Sequence, residues 1–154
     1  MSERKYGEAA AAVGVILSLA FVAFEIRENT KATRGTTLQA IAELSFDFVL
    51  DLSNDEDWIR IETAMREPGT TREDLSLEDR RIQELKYVAG MRILENRLRQ
   101  FQVGTVKAEE LSQFSLGARG FYTTPSFREW WGSRDQSDFF ASDFIEFFES
   151  EFLR

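Results

Sequence analysis

The chain of 154 residues contains no cysteine and no histidine. The first absence excludes disulfides, thiol nucleophiles and thiolate metal sites, and fits a reducing compartment. The second removes the usual general base, the usual nitrogen ligand for zinc or iron and the usual near-neutral pH switch. A carboxylate-bridged di-iron bundle needs Glu-x-x-His motifs, so it is excluded as well. There is no Gly-rich phosphate loop and no basic excess: 27 acidic residues face 19 basic ones, for a net charge of −8. Nucleic acid and other polyanions are therefore poor partners. Strand signals are missing too, with no sustained alternation and no Asn-Gly hairpin, which makes the expected fold all-α.

Carboxylates adjacent in sequence (Glu56 with Asp57, Glu73 with Asp74, Glu109 with Glu110) point about 100° apart on a helix and form no shared acid/base dyad. No enzymatic signature results, and neither a cofactor nor a metal site is expected.

What the chain does have is one stretch that is apolar on every side, residues 6–26, YGEAAAAVGVILSLAFVAFEI. The 16 residues 9–24 carry no charge and as a helix span roughly 24 Å; residues 6–26 span roughly 31 Å, about a bilayer's hydrocarbon core. The reading is a transmembrane helix with Glu8 and Glu25 at its interfaces. Three alternatives compete. One is a buried helix of a soluble protein. A second is a signal peptide, which lacks a small-x-small cleavage site. The third, an interfacial helix, lacks a polar face.

Ala10, Gly14 and Ser18 recur at spacings of four, a small-residue stripe through which spanning helices associate in lipid. Glu8 and Glu25 are also candidate ion-attracting rings at the mouths of an oligomeric pore, against the plainer reading of carboxylates snorkelling to water. Arg27, Lys31 and Arg34 outnumber Arg4 and Lys5, which favours a cytoplasmic C-terminal domain.

The organisation expected is a tail at 1–5, the span at 6–26, a juxtamembrane segment at 27–37 loosened at Gly35, and a helical bundle at 38–154 large enough for one core. In the bundle a stripe of Leu38, Ile41, Ala42, Ser45, Phe48, Val49 and Leu52 needs a partner. A helix breaks at residues 53–55, and the next carries Trp58, Ile61 and Met65 to Pro68-Gly69. Ser76 with Asp79 opens the longest soluble helix, residues 77–103. Its buried side is expected at Ile82, Leu85, Val88, Ala89, Leu94, Leu98 and Phe101. A helix over 107–118 carrying Leu111, Phe114 and Leu116 follows. Thr124-Pro125 starts a short helix over 126–131, and a Phe-striped helix over 139–153 ends the chain.

Arg92, Glu95, Asn96 and Arg99 stand at spacings that let them meet on one helix face. They are a candidate polar pocket for a small ligand or anion, against the plainer reading of a solvated ion-pair ladder. Trp130, Trp131, Phe140, Phe144 and Phe148 are a candidate partner surface, or else the seal of the bundle's core. Since adjacent Trp diverge on a helix, one of the two is expected to face outward.

The runs AVGVILSLAFVAFEIRENTKATR at 12–34 and YTTPSFREWW from Tyr122 resemble a group of small, uncharacterised bacterial membrane proteins. In that group an N-terminal spanning helix ends in a motif like E-I-R-x-N-T-x-A-x-R, and a helical domain carries a Pro-x-Phe/Val-x-x-W-W element. The resemblance implies a single-pass inner-membrane protein and brings no activity with it. Together with the residues, it leads to the expectation of a non-enzymatic membrane protein whose partners are lipid, itself or another membrane protein, as homo-oligomer or accessory subunit. The alternatives are an ion channel or membrane-active effector, and a small-ligand sensor or enzyme using the Arg92–Arg99 face.

Overall fold

The computed structural model describes residues 2–154, with side chains described for Glu8 and from Val13 onward. Among the described residues every regular element is helical: α1 (Ser2–Asn54), α2 (Glu56–Ala64), α3 (Leu77–Gln102), α4 (Ala108–Tyr122), α5 (Pro125–Gly132) and α6 (Ser142–Phe148), the last running into a π-helical turn, Glu149–Leu153. The chain divides into two compact units, Met1–Gln39 and Ala40–Arg154.

In the first unit the helix starts at Ser2, within the expected polar tail, and passes unbroken through Gly35. The hydroxyls here reinforce the helix rather than compete with it. Ser18, Thr30, Thr36 and Thr37 each donate to the carbonyl four residues back, at 2.8 to 3.2 Å, so one glycine costing about 1 kcal/mol does not break it. Among the described residues no helix is long and apolar enough to cross a membrane. The side chains of 6–7 and 9–12 lie outside those described, and the apolar run from Val13 meets Glu25, Arg27 and Glu28.

The second unit is built by caps that the local sequence supplies. Asp55 accepts from the Trp58 amide (2.9 Å), Ser76 from that of Asp79 (3.0 Å) and Thr124 from that of Phe127 (3.3 Å), opening α2, α3 and α5. Gly104, at φ +80°, closes α3 where only a residue without Cβ is unstrained. From the expected stripe of α1, Ile41 is buried and Ser45, Phe48 and Leu52 are half-buried, while Ala42 and Val49 are exposed.

The buried side of α3 is rotated from expectation. Leu85, Ala89 and Phe101 are exposed, and the core positions go to Gln83, Tyr87, Gly90, Met91, Ile93, Leu94 and Leu98. Tyr87 sits among four rings, with centroids 5.6 Å from Trp58, 5.7 Å from Phe121, 4.9 Å from Phe127 and 5.2 Å from Trp130.

Of the two readings of Trp130, Trp131, Phe140, Phe144 and Phe148, the sealed core is the one seen and the partner surface is not: all five are buried, including both Trp, of which one is expected to face outward. The short α5 is covered on two sides, so the divergence of adjacent side chains is accommodated. Trp130 packs on Tyr87, and Trp131 packs on Phe148 (4.5 Å) and Phe140 (6.1 Å). Phe144, Phe148 and Phe152 then line the last helix and its π-helical turn at spacings of four, with Phe140 just ahead of the helix, all buried.

Truncating Phe148 removes a ring that touches Tyr122, Phe127, Trp131 and Phe152. Phe148→Ala is expected to lower the unfolding free energy by about 3–5 kcal/mol, and Leu116→Ala, exposed on α4, by under about 0.5 kcal/mol. Urea unfolding followed by circular dichroism checks both; equal effects would displace the Phe stripe from the core.

Candidate functional site

Two places hold sequence-derived candidates, and a third, inside the bundle, holds polar residues that the sequence did not single out. The first is the apolar part of α1. Val13, Val15, Ile16, Leu17, Leu19, Phe21, Val22, Phe24 and Ile26 are 51 to 65% exposed. At about 100° per residue these positions go right round the helix, so no face of it is polar and none is buried. Within this surface Ser18 donates to the Gly14 carbonyl at 2.9 Å, and a Cβ placed on Gly14 would meet nothing within 4 Å. The hydroxyl is thus satisfied inside its own helix, leaving a small, undemanding patch suited to close approach of another helix. Ala10, third in that stripe, lies outside the described side chains. Glu8 and Glu25 are both exposed. Beyond them Lys31 pairs with Glu28 at 2.6 Å in a polar collar.

The second place is the outer face of α3. Arg92 donates to Glu95 (2.6 Å) and to the Phe139 carbonyl (2.7 Å). Arg99 grips Asp143 with two bonds, of 2.6 and 3.0 Å, and Gln102 adds a third at 2.9 Å. Glu95 lies 4.0 Å from Arg99, and Asn96 is exposed. The residues come together as the spacing requires, and Arg92 and Arg99 are already paired with Glu95 and Asp143. The arrangement is an ion-pair ladder that ties the C-terminal segment to α3 rather than an open pocket for an anion. Bonds from Arg99 and then Gln102 hold the Asp143 carboxyl at about 2, below its ordinary value.

The third place is inside, and aliphatic periodicity does not point to it. The Tyr87 hydroxyl lies 2.9 Å from Glu62 Oε1 and 2.8 Å from Ser126 Oγ. Having one proton, it donates to the carboxylate and accepts from the serine. Gln83, fully buried, donates to the same Glu62 oxygen (3.2 Å) and accepts from Arg72 Nε (2.8 Å). Burial first, and the Glu62 charge second, push the Tyr87 pKa far above the ordinary phenol value, so the hydroxyl keeps its proton. A cleft of about 490 Å³ reaches this network past Glu62, Arg66, Thr124 and Ser126. Arg97, also missed, is half-buried on the inner flank of α3. Its guanidinium donates to Ser45 Oγ (3.1 Å) and lies 3.7 Å from the Phe114 ring centroid.

Among the described residues no cluster of three or more carboxylates could hold a metal ion. No family model, curated protein or solved structure matches the chain.

Because Asp143 titrates lower in the folded than in the unfolded chain, its contribution to stability is complete above about pH 4 and is lost as pH falls towards 2. Carboxyl NMR is expected to show Asp143 titrating near 2, and Arg99→Gln is expected to move it up towards 3.8 without touching the core. An unmoved titration would break the assignment of Arg99 as its principal partner.

Proposed function

We propose that the protein is a membrane-anchored, non-enzymatic helical protein that assembles through its N-terminal apolar helix, with itself or as an accessory subunit of a larger membrane complex. One observation carries this reading. Nine large apolar side chains between Val13 and Ile26 are more than half exposed, and they surround the helix instead of forming a stripe. Burying such side chains is worth about 1.5–3 kcal/mol each, so leaving the set in water forgoes on the order of 10 kcal/mol. A stripe would call for one partner helix; a surface apolar all round calls for lipid, with close helix contact at Gly14 and Ser18. The uncharged run extends upstream to Ala9.

The polar collar from Arg27 to Thr30 and the basic residues Lys31 and Arg34 suit the headgroup region, and their one-charge excess over Arg4 and Lys5 favours a cytoplasmic Ala40–Arg154 unit. The resemblance carried by residues 12–34 and the Trp-Trp element supports a bacterial inner membrane. The non-enzymatic part rests on the missing histidine and cysteine and on the outer face of α3, where Arg92 and Arg99 are already paired.

The full chain is expected to pellet with membranes and to resist alkaline carbonate. Leu17→Lys with Phe21→Lys is expected to move most of it to the supernatant. In native mass measurement from nanodiscs it is expected as several copies or within a larger complex, and Gly14→Leu is expected to weaken that association at least fivefold. A chain that stays in solution after the membranes are removed defeats the anchor; a nanodisc-bound monomer defeats the assembly.

A further inference from the structure

Four half-buried carboxylates of the Ala40–Arg154 unit are each held by an arginine or lysine at 2.6 to 2.8 Å: Asp55 by Lys86, Asp79 by Arg60, Glu84 by Arg134 and Glu95 by Arg92. Glu62, half-buried as well, is held by neutral groups instead. Its Oε1 accepts from the Tyr87 hydroxyl (2.9 Å) and the Gln83 amide (3.2 Å), and among the described residues no arginine or lysine pairs with it. Its Oε2 takes no bond there either. Tyr87 and Gln83 are themselves buried, so the carboxylate is fixed in place while its charge stays uncompensated. A cation brought to it gains a charge-assisted bond.

Glu62 lines the cleft of about 490 Å³ between the end of α2 and the start of α5, a volume within the range that small ligands fill. The hydroxyls on the α5 side are already used. Ser126 Oγ is bonded to Tyr87, and Thr124 Oγ1 accepts from the Phe127 amide. The charged residues of the lining are Glu62 and, just beyond α2, Arg66 and Glu67, both exposed and neither in an ion pair among the described residues. The cleft therefore offers one negative charge set inwards, and a positive and a negative charge side by side in the chain at its mouth. Met65, Pro68 and Pro125 supply apolar wall.

We propose that this cleft binds a free basic α-amino acid of the lysine type, its side-chain ammonium on Glu62, its α-carboxylate on Arg66 and its α-ammonium on Glu67. The two α-groups share one carbon and match the neighbouring pair Arg66 and Glu67, while the side-chain cation, several bonds away, reaches the carboxylate set inwards. The Arg fork presents paired N–H groups to a carboxylate. The methylenes lie on Met65, Pro68 and Pro125. A simple anion would meet two carboxylates here, and an apolar ligand would leave Glu62 uncompensated. The site lies wholly within the Ala40–Arg154 unit, so it stands whether or not the N-terminal helix enters lipid.

The test is calorimetric titration of the full chain, in phosphatidylcholine nanodiscs if it needs lipid and in buffer if it does not, with lysine, ornithine and arginine. Two analogues of lysine separate the contacts: norleucine lacks the side-chain ammonium and cadaverine lacks the carboxylate. Both are expected to bind at least tenfold more weakly than lysine. Glu62→Gln, which keeps an acceptor for Tyr87 and Gln83, is expected to erase the preference for lysine over norleucine. Arg66→Gln is expected to erase the preference over cadaverine, and Arg92→Gln to change neither. Arg66 is exposed and unpaired, so its variant carries the test should Glu62→Gln lose its helical circular dichroism. No binding of any of the three amino acids at millimolar concentration would overturn the proposal, as would norleucine or cadaverine binding as tightly as lysine. A preference that survives both substitutions would overturn it too.

Discussion

The hydroxyl of Tyr87 is the constraint around which the Ala40–Arg154 unit is arranged. A buried phenol must place both its proton and a lone pair, and here the proton goes to Glu62 on α2 while Ser126 on α5 donates in return. Gln83, one turn earlier, meets the same carboxylate and passes the chain of bonds to Arg72. The ring is held by Trp58, Phe121, Phe127 and Trp130. Together these requirements set the rotation of α3 about its axis. Once Gln83 and Tyr87 point inward, Leu85 and Phe101 are turned out.

The same rotation divides the arginines of α3 by task. Arg92 and Arg99 emerge on the side covered by the C-terminal segment and hold it through the Phe139 carbonyl and the Asp143 carboxylate. Such exposed pairs contribute modestly, and the seal itself comes from the Phe stripe beneath them. Arg97 emerges towards α1 and α4, where it donates to Ser45 and lies against the Phe114 ring.

The Met1–Gln39 unit obeys a different balance. Along its helix the hydroxyls of Ser18, Thr30, Thr36 and Thr37 are satisfied by carbonyls one turn back, yet the large apolar side chains from Val13 to Ile26 remain exposed. A helix complete in hydrogen bonds and incomplete in burial is the form that a lipid or helix partner finishes. The functional reading of the protein thus rests on a surface.

Where helices start and stop was settled within a few residues of chain: Asp55, Ser76 and Thr124 cap the elements they precede, and Gly104 takes the left-handed conformation that ends α3. These are contacts over three or four positions, and they need no tertiary partner. The helical class, the apolar run and the inward Phe stripe follow from periodicity in the same way. Folding in three dimensions decided which polar residues went inside. Gln83 and Tyr87 displaced aliphatic neighbours because distant Glu62, Arg72 and Ser126 satisfy them. Both Trp of α5 were buried because two separate elements cover that short helix, and Arg97 was turned towards Ser45 of α1 and Phe114 of α4. Local sequence specifies what can form a helix; the side on which a polar group finds its partner depends on residues many positions away.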